Sequence, residues 1–374
     1  MARVTVDRPL FAHSRDPVDS VLANAADEPR WFERHAARAE KELVRTLSSH
    51  PDVERVELQT SDRARRDTLG RYATALCQLE LVLRDQPPIT TSGSGHAGAR
   101  PRARVIALAE LLERLALRLH SRADGENWNS NGASFHSSAL AVLKGALCEL
   151  LERDAFLTSW YAGRALPATD PTSPLARRFT KAGWRLREHA WKHDKVDAAC
   201  VYVSAIRRQP RADGWNFFLG CGAAPSHREA AAKATNELLR MFRTWQADYD
   251  RLDHSARVTP EALANTLSRL VIYQQPEYIR ELERMTSAGA RRFAVRPRSD
   301  RAFVVHCLRE LADLRIVPLP VPIQLHEHVF CIKAVSAQLQ NIDWAIPPQF
   351  NLARIRERYG TRRDRLNRFP HPIA

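Results

Sequence analysis

Two identical pentapeptides, Glu110-Leu-Leu-Glu-Arg114 and Glu149-Leu-Leu-Glu-Arg153, stand 39 residues apart in this chain. They lie within longer copies, ALAELLERLAL from Ala107 and ALCELLERDAF from Ala146, which agree at 8 of 11 positions. At about 100° per helical residue, Glu110, Glu113 and Arg114 fall on one narrow face, and Glu149, Glu152 and Arg153 fall on another. One such face is ordinary on a solvated helix, where each charge pair adds about 0.2–0.5 kcal/mol. Here both copies are crowded by apolar residues (Val105, Leu108, Leu111, Leu112; Val142, Leu147, Leu150, Leu151), so the helices are expected to be buried over much of their circumference. Carboxylates gathered in such a place repel one another unless cations join them. Mg2+ with nucleotide phosphates is the matching chemistry, and the guanidinium groups of Arg114 and Arg153 suit phosphate oxygens. A third, partial copy, ATNELLR from Ala234 to Arg240, follows the turn-like Gly220-Cys-Gly-Ala-Ala-Pro225.

Other motifs carry less. Gly93-Ser-Gly95-His-Ala-Gly98 has the form G-x-G-x-x-G, but the acidic residue a dinucleotide site needs about 20 residues on falls at Glu113, inside the predicted helix. A P-loop is excluded because Gly98 is followed by Ala99-Arg100. His326-Glu-His328 offers two metal-type ligands without further partners in view. The six cysteines are scattered with no C-x-x-C and read as buried thiols, and Asp154 and Asp85 have no visible partner.

The elements that must position these residues form an irregular alternation. A helix is expected over about Ala23–Ser49, then strands at Val53–Gln59 and Tyr72–Leu83, and a Ser/Gly loop at Thr90–Gly98. Helices follow from about Pro101, over Ala139–Tyr161 and over Arg177–Lys192. Further along come strands at Ala198–Ile206 and Trp215–Gly220, a helix over Ser226–Asp250, and a strand at Val329–Ser336 ahead of a basic tail. No steady βαβ rhythm emerges, so the expected class is α+β, a mixed β-sheet packed by helices. The division expected is an N-terminal helix and strand region over 1–88 and a second region over 89–374 that carries both acidic helices and ends in a proline-containing tail.

Charge is the compositional outlier, with 57 Lys+Arg against 43 Asp+Glu and a net +14. The basic residues come in short groups with no nucleic-acid-reading motif around them, and anionic small molecules suit such a surface better. No apolar run is long enough for a membrane span, and Met1–Phe11 has no signal-peptide core, so a cytoplasmic protein is expected.

Over roughly Thr90 to the C-terminus the chain resembles the YcaO superfamily of ATP-dependent enzymes that modify peptide backbones. The resemblance rests on Thr91-Ser-Gly-Ser-Gly95 with Glu110-Leu-Leu-Glu-Arg114, and on Asn129-Ser-Asn-Gly132 with Ser134-Phe-His136 and Glu149-Leu-Leu-Glu-Arg-Asp154. It extends to Gly220-Cys-Gly-Ala223 with Glu237, to Lys333-Ala-Val-Ser336, and to Pro370-His-Pro372. The pattern is most similar to the stand-alone cyclodehydratases of microcin-type azole biosynthesis. It departs from the family at Ser94, where Gly-Lys-Gly is usual, at Ser137 and Ala141, and in the terminal Ile373-Ala374.

The resemblance implies a YcaO-type ATP-binding fold with ATP and Mg2+ as cofactors. It implies conversion of Cys, Ser or Thr in a ribosomally made precursor peptide into azolines by phosphorylation of the backbone amide oxygen. Thioamide or amidine formation, or a non-catalytic substrate-binding subunit, are the alternatives. On this reading Glu110, Glu113, Glu149 and Glu152 hold Mg2+ and ATP, and Arg114 and Arg153 act on the phosphates or orient those carboxylates. Ser92, Ser94, Ser134 and Ser137 supply hydroxyl contacts, and Lys333 contacts phosphate or substrate. No winged-helix leader-binding module is recognisable, so a leader-peptide-binding, E1-like partner subunit is expected. An FMN-dependent azoline dehydrogenase acting next, and a homodimer within a hetero-oligomer, complete the expectation.

Overall fold

The computed structural model describes residues 30–374 except 68, 126–127, 172, 212–213, 246–270, 286–293, 297, 320, 322–329, 343–349, 363–364, 368–370 and 372–374. The first turns of the helix expected from Ala23, the end of that expected to Asp250, and His326-Glu-His328 lie outside these residues. The chain forms two compact units, one of residues 1–147 and 315–335, the other of 148–314 and 336–374.

In the first unit, helix α1 (Arg30–Ser48) precedes strands β1 (Val53–Asp67), β2 (Gly70–Leu83) and β3 (Ile89–Ala97), an antiparallel sheet in that order. Along β2 the residues Ala73, Ala75, Cys77, Leu79 and Leu81 are buried, the period-2 signature of a sheet with one face on a core. Helix α2 (Arg100–Asp124) covers that face with Ala103, Ala107, Leu108, Leu111, Leu112 and Leu115. The stretch Thr90–Gly98, expected as a loop, is instead most of β3. Its Gly and Ser content marks close packing rather than a turn: a Cβ on Gly93 would lie 2.1 Å from the Ala107 carbonyl oxygen, and one on Gly95 1.7 Å from that of Ala103. A small second sheet joins β4 (Ala133–His136) to β9 (Arg315–Pro318) through β10 (Phe330–Val335) in the order β4-β10-β9.

Helix α3 (Ala139–Tyr161) begins in the first unit and ends in the second. The second unit is built on the antiparallel sheet β5 (Ala168–Thr169), β6 (Trp184–Lys192), β7 (Ala199–Arg207) and β8 (Phe217–Ala224), in that order. Helix α4 spans only Pro174–Lys181, and the remainder of the helix expected to Lys192 is strand β6. Gly183, at φ +84°, ends the helical path, and Trp184, Leu186, His189 and Trp191 are the buried residues of the strand that follows. Strand β7 is buried from Ala199 to Ile206 because both faces are covered: Tyr202 donates to the Glu152 carbonyl of α3 at 2.6 Å, and α5 (His227–Trp245) packs on β7 and β8. Among the described residues, helices α6 (Pro276–Met285), α7 (Asp300–Glu310) and α8 (Leu352–Tyr359) also belong to this unit.

Candidate nucleotide and cation site

Among the described residues β3 is an edge strand, with no strand partner for its outward N–H groups. The carboxylate of Glu110, one helix later, accepts the Ser94 N–H at 2.8 Å and the Ser94 hydroxyl at 3.2 Å. Arg114 closes the arrangement, donating to Glu110 at 2.6 Å and to the Ser92 carbonyl at 3.0 Å, with its side chain 46% exposed. Glu113 is half-buried on the same helix. The expected helical face is therefore present in the first unit, with Ser94 brought to it by the sheet.

Ser134 and Lys333 lie on the neighbouring strands β4 and β10, and Ser137 just beyond β4. Gly145 of α3 leaves room for Ser134, whose hydroxyl would sit 2.5 Å from a Cβ there. The Lys333 ammonium is buried and donates to the Asn129 carbonyl at 2.7 Å and the Asn131 carbonyl at 2.5 Å, holding the turn that leads into β4.

The second unit gathers a denser group. Arg153, buried on α3, lies 3.9 Å from Glu149 and 3.5 Å from Glu152. Glu237 of α5 accepts the Cys221 N–H of edge strand β8 at 2.5 Å, and oxygens of Glu152 and Glu237 lie within 4.8 Å of each other and of the Cys221 sulfur. Burial pushes the Glu152 carboxyl up to about 8; Arg153 opposes the shift, while Glu237 and Glu149 add to it. For Arg153, burial would lower the pKa, but Glu152, Glu149 and Glu237 outweigh it and hold the guanidinium charged. A carboxyl that retains its proton beside two others is the condition a divalent cation relieves, and oxygen donors are those Mg2+ takes. The donor set thus fits Mg2+ with a nucleotide phosphate.

Glu237 and Cys221 escaped the expected site set. Their signal was in the spacing: Ser94 to Glu110 and Cys221 to Glu237 are both 16 residues, each from the middle of a Gly-x-Gly. Asp154, which has no visible partner in sequence, is fully buried and bound by Arg354 of α8 at 2.6 Å, by the Gln340 N–H at 2.8 Å and by His193 at 2.9 Å. Burial opposes ionisation, yet the hydrogen bonds from His193 and Arg354 hold its carboxyl below the usual range. In the tail, the Asn367 N–H donates to the Tyr161 carbonyl at 2.7 Å and Tyr273 donates to the His371 carbonyl at 2.6 Å. Pro370, Pro372, Ile373 and Ala374 lie outside the described residues.

A comparison with curated proteins found no match. Among solved structures, a heterocyclase in complex with substrate and cofactor is 10% identical at TM-score 0.58, over 91% of this chain and 57% of that one, so the chain spans little more than half its length. YcaO from Methanopyrus kandleri, bound with AMPPCP and Mg2+, is 16% identical at TM-score 0.53, over 83% of this chain and 90% of that one. At these identities the likeness is one of fold. The family model for YcaO cyclodehydratase, ATP- and Mg2+-binding, matches residues 118–319, the span that holds Glu149, Glu152, Arg153, Cys221 and Glu237. With more than half of its length covered and a carboxylate cluster suited to Mg2+ inside that span, the chain belongs to the YcaO family of ATP- and Mg2+-binding cyclodehydratases.

Proposed function

We propose that this protein is an ATP-dependent cyclodehydratase that converts Cys, Ser or Thr residues of a precursor peptide into azolines. The observation that carries the reading is the group of half-buried carboxylates Glu149, Glu152 and Glu237 around the buried Arg153, in the span matched by the family model. When bound, Mg2+·ATP supplies the phosphoryl group that turns the amide oxygen into a leaving phosphate. Glu149, Glu152 and Glu237 would hold the cation, their charges balanced by it. Arg153 is fixed by its two ion pairs and supplies a guanidinium whose charge costs no reorganisation when negative charge develops nearby. In the first unit, Ser94 orients Glu110 through two hydrogen bonds, and Arg114 and Glu113 extend that polar face. Ser92, Ser134 and Ser137 remain candidate hydroxyl contacts, and Lys333 acts through the Asn129–Asn131 turn.

The substrate side chain adds to the preceding carbonyl carbon, and that carbonyl oxygen departs with phosphate, so each ring formed removes one water from the peptide. A leader-binding E1-like subunit would deliver the peptide, and a flavin-dependent dehydrogenase would oxidise azolines to azoles. The similarity in fold to a heterocyclase solved with substrate and cofactor supports the peptide reading.

Calorimetric titration with Mg2+·ATP tests the site. Glu110→Ala and Glu149→Ala should each abolish detectable binding in a folded protein, and Arg153→Lys should lower turnover far more than melting temperature, because lysine keeps the charge but not the planar fork. Mass spectrometry of a precursor peptide incubated with the protein, its partner subunit and ATP should show losses of one water per ring. Wild-type nucleotide affinity in both glutamate variants would remove this reading.

A further inference from the structure

The sheet β1-β2-β3 carries its charge unevenly from end to end. At one end Arg55 is paired with Glu80 and lies 3.6 Å from Glu57. At the other, where β1 turns into β2, Arg63, Arg65, Arg66 and Arg71 are all exposed, and their side chains have no ion pair or hydrogen bond among the described residues. The two carboxylates nearest in sequence are engaged elsewhere: Asp67 accepts the Leu69 N–H at 2.8 Å, and Asp62 lies 3.7 Å from Arg100 and 4.0 Å from Arg104. Arg66 and Arg71 stand directly opposite each other in the register, a like-charge pair that costs stability until an anion joins it.

Gly93 and Gly95 turn toward α2, so alternation along β3 sends Ser94 and His96 to the outer face of the sheet. The register puts Arg65 beside Tyr72, Arg63 in one row with Thr74 and His96, and Ser61 in the next with Leu76 and Ser94. Leu76 is 39% exposed, an apolar residue facing solvent in the row that ends at Ser94 and its Glu110 partner. From Arg65 to Ser61 is about 13 Å at roughly 3.3 Å per residue. An extended peptide of about four or five residues covers that path.

We propose that this surface binds an acidic, extended segment of the peptide substrate, its carboxylates on Arg63, Arg65, Arg66 and Arg71 and an apolar side chain on Leu76. The inference rests on the peptide-modifying function proposed above. A path that leads from the arginines to the Ser94–Glu110 face favours the substrate over a separate acidic protein. Nucleic acid fits less well, because bases need an open ring to stack on. Tyr72, the one Phe, Tyr or Trp of these three strands, is buried, with its ring centroid 5.7 Å from that of His96.

The probe is a fluorescein-labelled peptide in which glutamates alternate with serines around one leucine, titrated by anisotropy without nucleotide. The wild-type protein should bind it, about tenfold or more weaker when NaCl rises from about 0.1 M to about 1 M, which shortens the screening length from roughly 10 Å to roughly 3 Å. Arg63→Gln, Arg65→Gln, Arg66→Gln and Arg71→Gln made together should weaken binding about tenfold or more. Arg208→Gln, Arg228→Gln, Arg301→Gln and Arg309→Gln together remove the same charge from exposed positions of the second unit and should leave binding within about twofold. Absence of binding or of salt dependence in the wild type, which needs no variant to fold, overturns the proposal. So do equal losses in the two quadruple variants, and a single-stranded oligonucleotide of equal charge that binds as tightly as the peptide. With an acid-bearing precursor peptide, the first quadruple variant should raise KM and leave kcat unchanged; an unchanged KM would give the surface to another acidic protein and overturn the substrate assignment. Mg2+·ATP binding is titrated on the same wild-type preparation, and its failure would remove the proposed function while the anisotropy result stands.

Discussion

The segments Gly93–Arg114 and Gly220–Arg240 share a backbone plan and differ in what surrounds it. In each, a Gly-x-Gly edge strand lies against the following helix, and a Cβ on the first glycine would strike a helical carbonyl oxygen 14 residues on, Ala107 for Gly93 and Ala234 for Gly220. In each, a glutamate 16 residues beyond the middle residue accepts its backbone N–H. The first copy neutralises Glu110 with Arg114 on its own helix, close to solvent. The second also pairs Glu237 with an arginine of its own helix, Arg240 at 3.8 Å, but places it beside Glu152 of α3 in a half-buried group that holds Arg153 and Cys221. A shared scaffold thus fixes where a carboxylate stands, and the neighbouring helix decides whether further carboxylates gather around it. The strongest sequence likeness pairs α2 with α3, whereas the likeness in backbone pairs α2 with α5.

The largest expected effect separates the supports of the two copies. Asp154→Ala removes a fully buried partner of Arg354 and should cost about 3–5 kcal/mol in chemical denaturation. Glu40→Ala, which removes the partner of the part-exposed Arg104 in the first unit, should cost about 1.5–3 kcal/mol. Equal losses would break the contrast. The shared backbone plan is tested next. Gly93→Ala and Gly220→Ala should each destabilise by at least about 1–3 kcal/mol, since the added methyl meets backbone rather than a movable side chain. Gly98→Ala, with nothing within 4 Å, should stay within about 1 kcal/mol of wild type. A stable Gly220→Ala protein would show that the two copies do not share the close approach.

The smallest effect is a pH slope belonging to the second copy alone. In metal-free protein, Glu152 keeps a proton that the unfolded chain has released above pH 4.5. Its stabilisation is full below that value and is lost as pH rises toward about 8. His189, pushed down to about 4 by burial with Arg187 adding, works in the opposite sense and gains stability from pH 4 to 6.5. Between pH 6.5 and 8 the Glu152 slope remains, at most about 1.4 kcal/mol per pH unit. Melting temperature should fall across that window in the wild type and stay flat in Glu152→Gln. A rising profile would refute the buried, proton-retaining carboxyl.

Local pattern determined much of this molecule. The faces bearing Glu110 with Arg114 and Glu149 with Arg153 follow from helical periodicity, and the buried strands and buried cysteines follow from runs of apolar residues; among the described residues no helix is long and apolar enough to cross a membrane. Tertiary structure decided the rest. Thr90–Gly98 reads as a loop until β2 pairs with it and α2 packs on its glycines, and Arg177–Lys192 reads as one helix until Gly183 turns the chain and β7 takes up the remainder as a strand. Lys333 has the charge of a phosphate ligand, and only the position of the Asn129–Asn131 turn shows where its ammonium donates. Asp154 meets Arg354 across 200 residues. Cys221 of strand β8 has its sulfur within 4.8 Å of a carboxylate oxygen of Glu152 on α3. Periodicity is a property of neighbours along the chain, so the sequence determines which side chains share a face. Which faces meet depends on strand register and on how closely two backbones approach, and those are properties of the packed fold.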